Sequence, residues 1–133
     1  MVVTPGQWGD NPQLGPVLDG ICVPKPDGKR LPRRRPERLL ADKAYSHPST
    51  RRLLRRRGIP HCIPERRDQC ERRAHRPGRK PAFDPAVYKR RNVVERCINR
   101  LKQFRGLATR YDKRGWNYRA MVVLAALVLW LPK

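Results

Sequence analysis

Between Tyr88 and Lys102 the chain reads YKRRNVVERCINRLK, and this run leaves little choice of conformation. Val87, Val94, Ile98 and Leu101 recur at helical spacing and form one apolar stripe. Tyr88, Arg91, Glu95 and Lys102 are spaced three, four and seven apart. At about 3.6 residues per turn they fall within an arc of roughly 60° beside that stripe. The spacing predicts one helix with a dry back and a face that sets a carboxylate among two cations and a phenol. Such a face suits a metal-dependent reaction on a polyanion.

The rest of the chain agrees with a polyanionic partner. Its 133 residues make one domain at most, and they carry a formal charge of +21. Neutralising phosphates with so many cations releases counterions, which favours nucleic acid. The cysteines, Cys22, Cys62, Cys70 and Cys97, form no disulfide framework, and no signal peptide precedes them, so a reducing cytoplasm is expected. Cys62, Cys70 and His75 match no standard zinc spacing and lack a C-x-x-C pair. Ala120 to Leu131 is almost wholly apolar but shorter than the roughly 20 residues a bilayer requires, so a buried helix is expected there and no membrane partner.

Along the chain, residues 1–24 read as the end of a strand followed by a short helix. Asp10 is expected to cap that helix, with Leu14, Val17, Leu18 and Ile21 inward. Residues 25–36 form a Pro-, Gly- and Arg-rich loop. Residues 37–65 read strand, helix, strand: Arg38 to Asp42 is a short buried strand ending on an acid, Ser46 caps the helix, and Gly58 stops it. A basic loop spans 66–83. The signature helix covers 84–106 and opens on Asp84-Pro85. A terminal apolar helix covers 116–131, anchored by Trp116, Tyr118 and Trp130. This order is α/β.

Asp42 stands at the C-terminal end of its strand, where open α/β sheets place ligand-binding groups. If it converges with Glu95, the two acids can hold magnesium ions, which need few carboxylates and leave room for phosphate oxygens. Two such ions would assist an in-line displacement at phosphorus. Arg91 and Lys102 would stabilise the charge that the transition state gathers.

The run Tyr88-x2-Arg91-x3-Glu95-x6-Lys102 resembles the signature of bacterial insertion-sequence transposases of the DDE class at all four positions. Leu40-Ala41-Asp42-Lys43-Ala44-Tyr45 resembles the family's second-aspartate segment. Thr4-Pro5-Gly6-Gln7, Asn92-Val93-Val94-Glu95-Arg96 and Arg110-Tyr111-Asp112-Lys113 resemble the insertion-sequence-five-like branch.

The resemblance implies a partial RNase-H-like α/β fold with C-terminal helices, the C-terminal portion of a DDE catalytic domain. It implies Asp42 and Glu95 as catalytic acids and metal ligands for two magnesium or manganese ions. Tyr88, Arg91, Lys102 and Lys43 would contact DNA. The partners implied are double-stranded DNA (transposon ends and target), a complementary N-terminal transposase chain and further copies of the transposase, in the bacterial cytoplasm with the nucleoid. Family members carry the first catalytic aspartate on the first strand, upstream of the segment resembling Thr4-Pro5-Gly6. This chain is therefore expected to lack that residue and the first strands, and neither Asp10 nor Asp19 stands in its family context. The alternative is an inactive element remnant that binds DNA non-specifically through its charge; a basic structural protein ranks last, because it gives no reason for an acid at fixed spacing among the bases.

Overall fold

The computed structural model describes every residue except Met1, Gly6, Asp27, Lys29, Arg30, Arg76, Pro77, Pro132 and Lys133. The chain divides into two compact units: residues 10–91, and residues 1–9 together with 92–133.

Unit 10–91 is built on a β–α–β crossover. Strand β1 (Leu39–Leu40) pairs in parallel with strand β2 (His61–Cys62), in the register Leu39 to His61 and Leu40 to Cys62. Helix α2 (Pro48–Arg56) connects them. His47, rather than Ser46, caps α2: its ring nitrogen accepts from the Ser49 N–H at 3.3 Å. The buried Ser46 hydroxyl turns back to the Lys43 carbonyl at 2.7 Å. Pro48 opens the helix, where its missing N–H removes no bond. Gly58 closes it at φ 61°, a left-handed conformation that side-chain-bearing residues resist.

Helix α1 (Leu14–Asp19) follows a 3₁₀ turn at Asn11–Gln13. Asp10 precedes that turn but makes no side-chain capping bond. Leu14 and Leu18 are buried, whereas Val17 is exposed, because a six-residue helix turns only a narrow stripe inward. Leu54 and Ile63, both fully buried, join Leu14, Leu18 and Ile59 as the core, with Leu39, Ala41 and Tyr45 packed around them. Polar links tie this segment to α2 and its C-terminal end: Thr50 Oγ1 donates to Asn11 Oδ1 of the 3₁₀ turn at 2.8 Å, and Arg57, just past α2, pairs with Asp19 of α1 at 2.7 Å. Val23 and Arg33 exchange backbone hydrogen bonds at 2.9 and 2.8 Å, closing the basic loop.

Residues 66–83 include helix α3 (Arg67–Ala74), where the composition suggests a loop. Gln69 accepts from the Arg66 N–H at 3.3 Å. The i,i+4 pairs Arg67–Glu71 and Asp68–Arg72, each at 2.8 Å, support its exposed face. Arg73 also pairs with Glu65.

The expected single helix over 84–106 is interrupted. Helix α4 (Pro85–Lys89) is capped by Asp84, whose Oδ1 accepts from the N–H groups of Ala86 and Val87 at 2.9 and 3.1 Å. The N–H groups of Arg90 and Arg91 then bond to Val87 and Tyr88, three residues back, which tightens the backbone and ends the helical ladder. Lys89, Arg90 and Arg91 crowd positive charge onto this C-terminus, where the helix dipole favours it. Helix α5 (Asn92–Lys102) starts afresh.

The second unit packs α5, α6 (Arg105–Ala108) and α7 (Gly115–Trp130) against one another, with Leu107 and Ala125 buried. Tyr118 donates to the Leu107 carbonyl at 3.5 Å. Trp116 and Trp130 are 72% and 80% exposed and so do not anchor a core within this unit. Leu124, Leu127 and Val128 are exposed too: from Ala120 to Trp130 α7 is apolar all round, and two short neighbours cover only part of it. The described residues 2–5 form no strand. No helix among the described residues is long and apolar enough to cross a membrane.

Candidate functional site

Asp42 lies just past the C-terminal end of β1, in unit 10–91. Its extended backbone leads into the 3₁₀ turn Lys43–Tyr45, and its Oδ1 accepts from the Ala44 N–H at 2.9 Å. That bond fixes the carboxylate's rotamer. The other oxygen, Oδ2, lies 3.7 Å from the Arg91 guanidinium, and the side chain is 42% exposed. A long, half-exposed pair of this kind contributes about 0–1 kcal/mol. Its consequence is placement: a signature cation stands beside a strand-end acid.

The turn that carries Asp42 is held from below. Arg66 Nε donates to the Lys43 carbonyl at 3.1 Å and its Nη2 to the Ala44 carbonyl at 3.5 Å, while Gln69 donates to the Ser46 carbonyl at 3.4 Å. The start of α3 thereby positions the segment around Asp42. No sequence signal singles out Arg66 among so many arginines; only the Arg66–Gln69 spacing, read as a helix start, hints at it. Lys43 has an exposed side chain.

Tyr45 is half-buried between this turn and the core. Burial pushes its phenol above the usual value, and the negative charges of Asp10 and Asp42 push the same way. Asp10 therefore shares the electrostatic surroundings of Asp42, although no motif points to it. Tyr88 is half-buried as well, with its ring centroid 5.3 Å from that of Phe83 and the planes tilted by 52°.

Glu95 and Lys102 belong to the other unit, on α5. Seven residues apart, they lie on one face of that helix. Tyr88 and Arg91 precede the break, so the four signature residues do not sit on one continuous helix. Among the described residues, no three His, Cys, Asp or Glu side chains form a metal-holding group. The donors on offer are carboxylate oxygens, the hard ligands that magnesium prefers, and the Asp42 side chain is partly exposed.

The fold and site thus define an α/β protein with a strand-end carboxylate beside a guanidinium. The chain belongs to the DDE transposase family: the family model described as "Transposase DDE domain" matches residues 1–131. It is 34% identical over 131 residues to a Burkholderia cepacia protein whose name assigns it provisionally as the transposase for insertion sequence element IS402; the match covers 97% of this chain and 55% of that protein. It is 28% identical over 132 residues to a Brucella ovis protein similarly named for IS6501, covering 96% of this chain and 84% of the relative. The chain thus spans about half the length of the first of these relatives. No solved structure matches.

Proposed function

We propose that the chain acts in DNA transposition, through metal-dependent phosphodiester hydrolysis and strand transfer, as the C-terminal portion of a DDE catalytic domain. The observation that carries this reading is Asp42 at the end of β1 with Arg91 of the signature beside it. The family match over residues 1–131 supplies the class of chemistry, and both relatives are named as transposases of insertion sequences. The parallel β1–α2–β2 crossover is compatible with part of an RNase-H-like sheet, in which it would carry the second acid.

In this reading Asp42 and Glu95 are the metal-holding acids. Two magnesium or manganese ions, when bound, would polarise the phosphoryl oxygens and ease deprotonation of the attacking hydroxyl. The rest falls to the chain itself. The Ala44 N–H holds Oδ1 of Asp42, which would leave Oδ2, beside Arg91, to meet the ion. Arg91, Lys102 and Lys43 neutralise the phosphate as charge builds on its oxygens. Tyr88, stiffened by Phe83, offers a ring edge to the DNA sugar. The first acid comes from a complementary N-terminal transposase segment, and duplex DNA, further copies of the transposase and the nucleoid of the bacterial cytoplasm complete the setting.

The test combines the chain with the N-terminal segment of its relatives, transposon-end DNA and magnesium. Strand cleavage at the ends, absent when magnesium is chelated, is the expected outcome. No cleavage under conditions where an intact relative cuts would reject the reading.

A further inference from the structure

Unit 10–91 contains a second concentration of positive charge that neither the signature nor the Asp42 turn accounts for. A groove runs beside β2, lined by Arg38, Arg51, Arg55, His61, Arg79 and Lys80, and among the described residues Asp84 is the one acid in its lining. Asp84 is already committed to the N-terminus of α4 through its Oδ1. Like charges gathered in a concavity repel one another and raise the local potential, so an anion entering the groove relieves that repulsion.

Arg51 gives the groove a chemical demand. The residue is only 6% exposed, although it sits on α2 among exposed arginines. Its Nη2 donates to the Ile63 carbonyl at 2.8 Å. Its Nη1 is buried and has no hydrogen-bond partner among the described residues. Burial pushes this guanidinium below its usual value; Glu65 pulls it back up and Arg55 pushes it further down. A buried donor without a partner costs about 1–3 kcal/mol, so native structures seldom leave one with no use.

We propose that this groove is a phosphate-binding site for the DNA backbone, with Arg51 as its preset floor and Arg55, Arg79 and Lys80 as its outer cations. A guanidinium held in place by a backbone carbonyl keeps its remaining donors in a fixed fork, which suits phosphate oxygens. The groove's described lining includes neither Asp42 nor any of the four signature residues, so the site would hold the DNA backbone through a separate set of cations. That DNA is the source of the phosphate rests on the transposase reading; the anion site itself does not.

The experiment uses the full chain and two charge-matched triple variants. One is Arg55→Gln, Arg79→Gln and Lys80→Gln in the groove. The other is Arg52→Gln, Arg67→Gln and Arg72→Gln, exposed arginines outside it. Inorganic phosphate, followed by phosphorus NMR, should show saturable line broadening with the wild type and the outside triple, and little with the groove triple. The slope of log K against log salt for duplex DNA should shrink by about two to three in the groove triple and by less than about one in the outside triple. Arg51→Met should weaken phosphate binding by about tenfold or more; the groove triple decides the matter if that variant does not fold. Phosphate binding absent from the wild type, or equal in both triples, overturns the site. Neither result bears on magnesium-dependent end cleavage, which alone decides the transposase reading.

Discussion

Replacing Asp42 with Asn in the reconstituted transposase will lower strand cleavage by about 10²–10³-fold or more, the scale seen when one charge-stabilising group is removed from an active site. End-DNA binding will persist. The separation follows from the local geometry. Asn keeps an oxygen for the Ala44 N–H, so the turn after β1 survives. It loses the negative charge that a divalent ion requires, and the Arg91 contact, which at 3.7 Å and half-exposed contributes little to stability. Cleavage rates on end DNA, read beside binding and thermal unfolding, check this. A fall in cleavage no larger than the fall in binding would make Asp42 a structural residue.

The largest effect on stability will come from Leu54→Ala. Leu54 is fully buried against Leu14, Leu18, Ile59 and Ile63, and a Leu-to-Ala change at such a site costs about 2–5 kcal/mol. Set against a typical total of about 5–15 kcal/mol, this should shift the urea midpoint of unit 10–91 strongly. Leu124→Ala on α7 is the comparison. That side chain is 61% exposed, and its truncation should stay within about 0.5 kcal/mol. Similar losses at both positions would mean that the two leucines do not differ in burial.

Much of unit 10–91 is legible in the sequence because its signals are local. Leu39 and Leu40 before an acid, the Leu53–Leu54 pair and Gly58 mark strand, helix and stop without reference to the rest of the chain. What escapes depends on partners distant in sequence. Ser46 and His47 are both adequate caps, and the choice between them falls to the Lys43 carbonyl, which takes the Ser46 hydroxyl. Arg51 looks like one more solvated arginine until Ile63 supplies its acceptor. Helix α3 is hidden because its support is ionic rather than apolar, so hydrophobic periodicity is silent there. The break after Lys89 is hidden for the opposite reason. The apolar stripe from Val87 to Leu101 is continuous in sequence, while the three cations and the three-residue hydrogen bonds at Arg90 and Arg91 interrupt the backbone. Of the candidate site, Asp42 and Arg91 are legible from motif spacing, but the Arg66 support beneath them is not.

Exchanging the acids at 42 and 95 one at a time for cysteine, and varying the metal, decides whether both bind the divalent ion that serves DNA cleavage. Thiolate is a poor ligand for magnesium and a better one for softer ions such as manganese. Asp42→Cys and Glu95→Cys should each abolish end cleavage in magnesium and regain a measurable part of it in manganese, beyond any gain shown by the unaltered protein. If either variant responds to the two metals in the same ratio as the unaltered protein, that residue does not touch the ion, and the two-acid account is wrong.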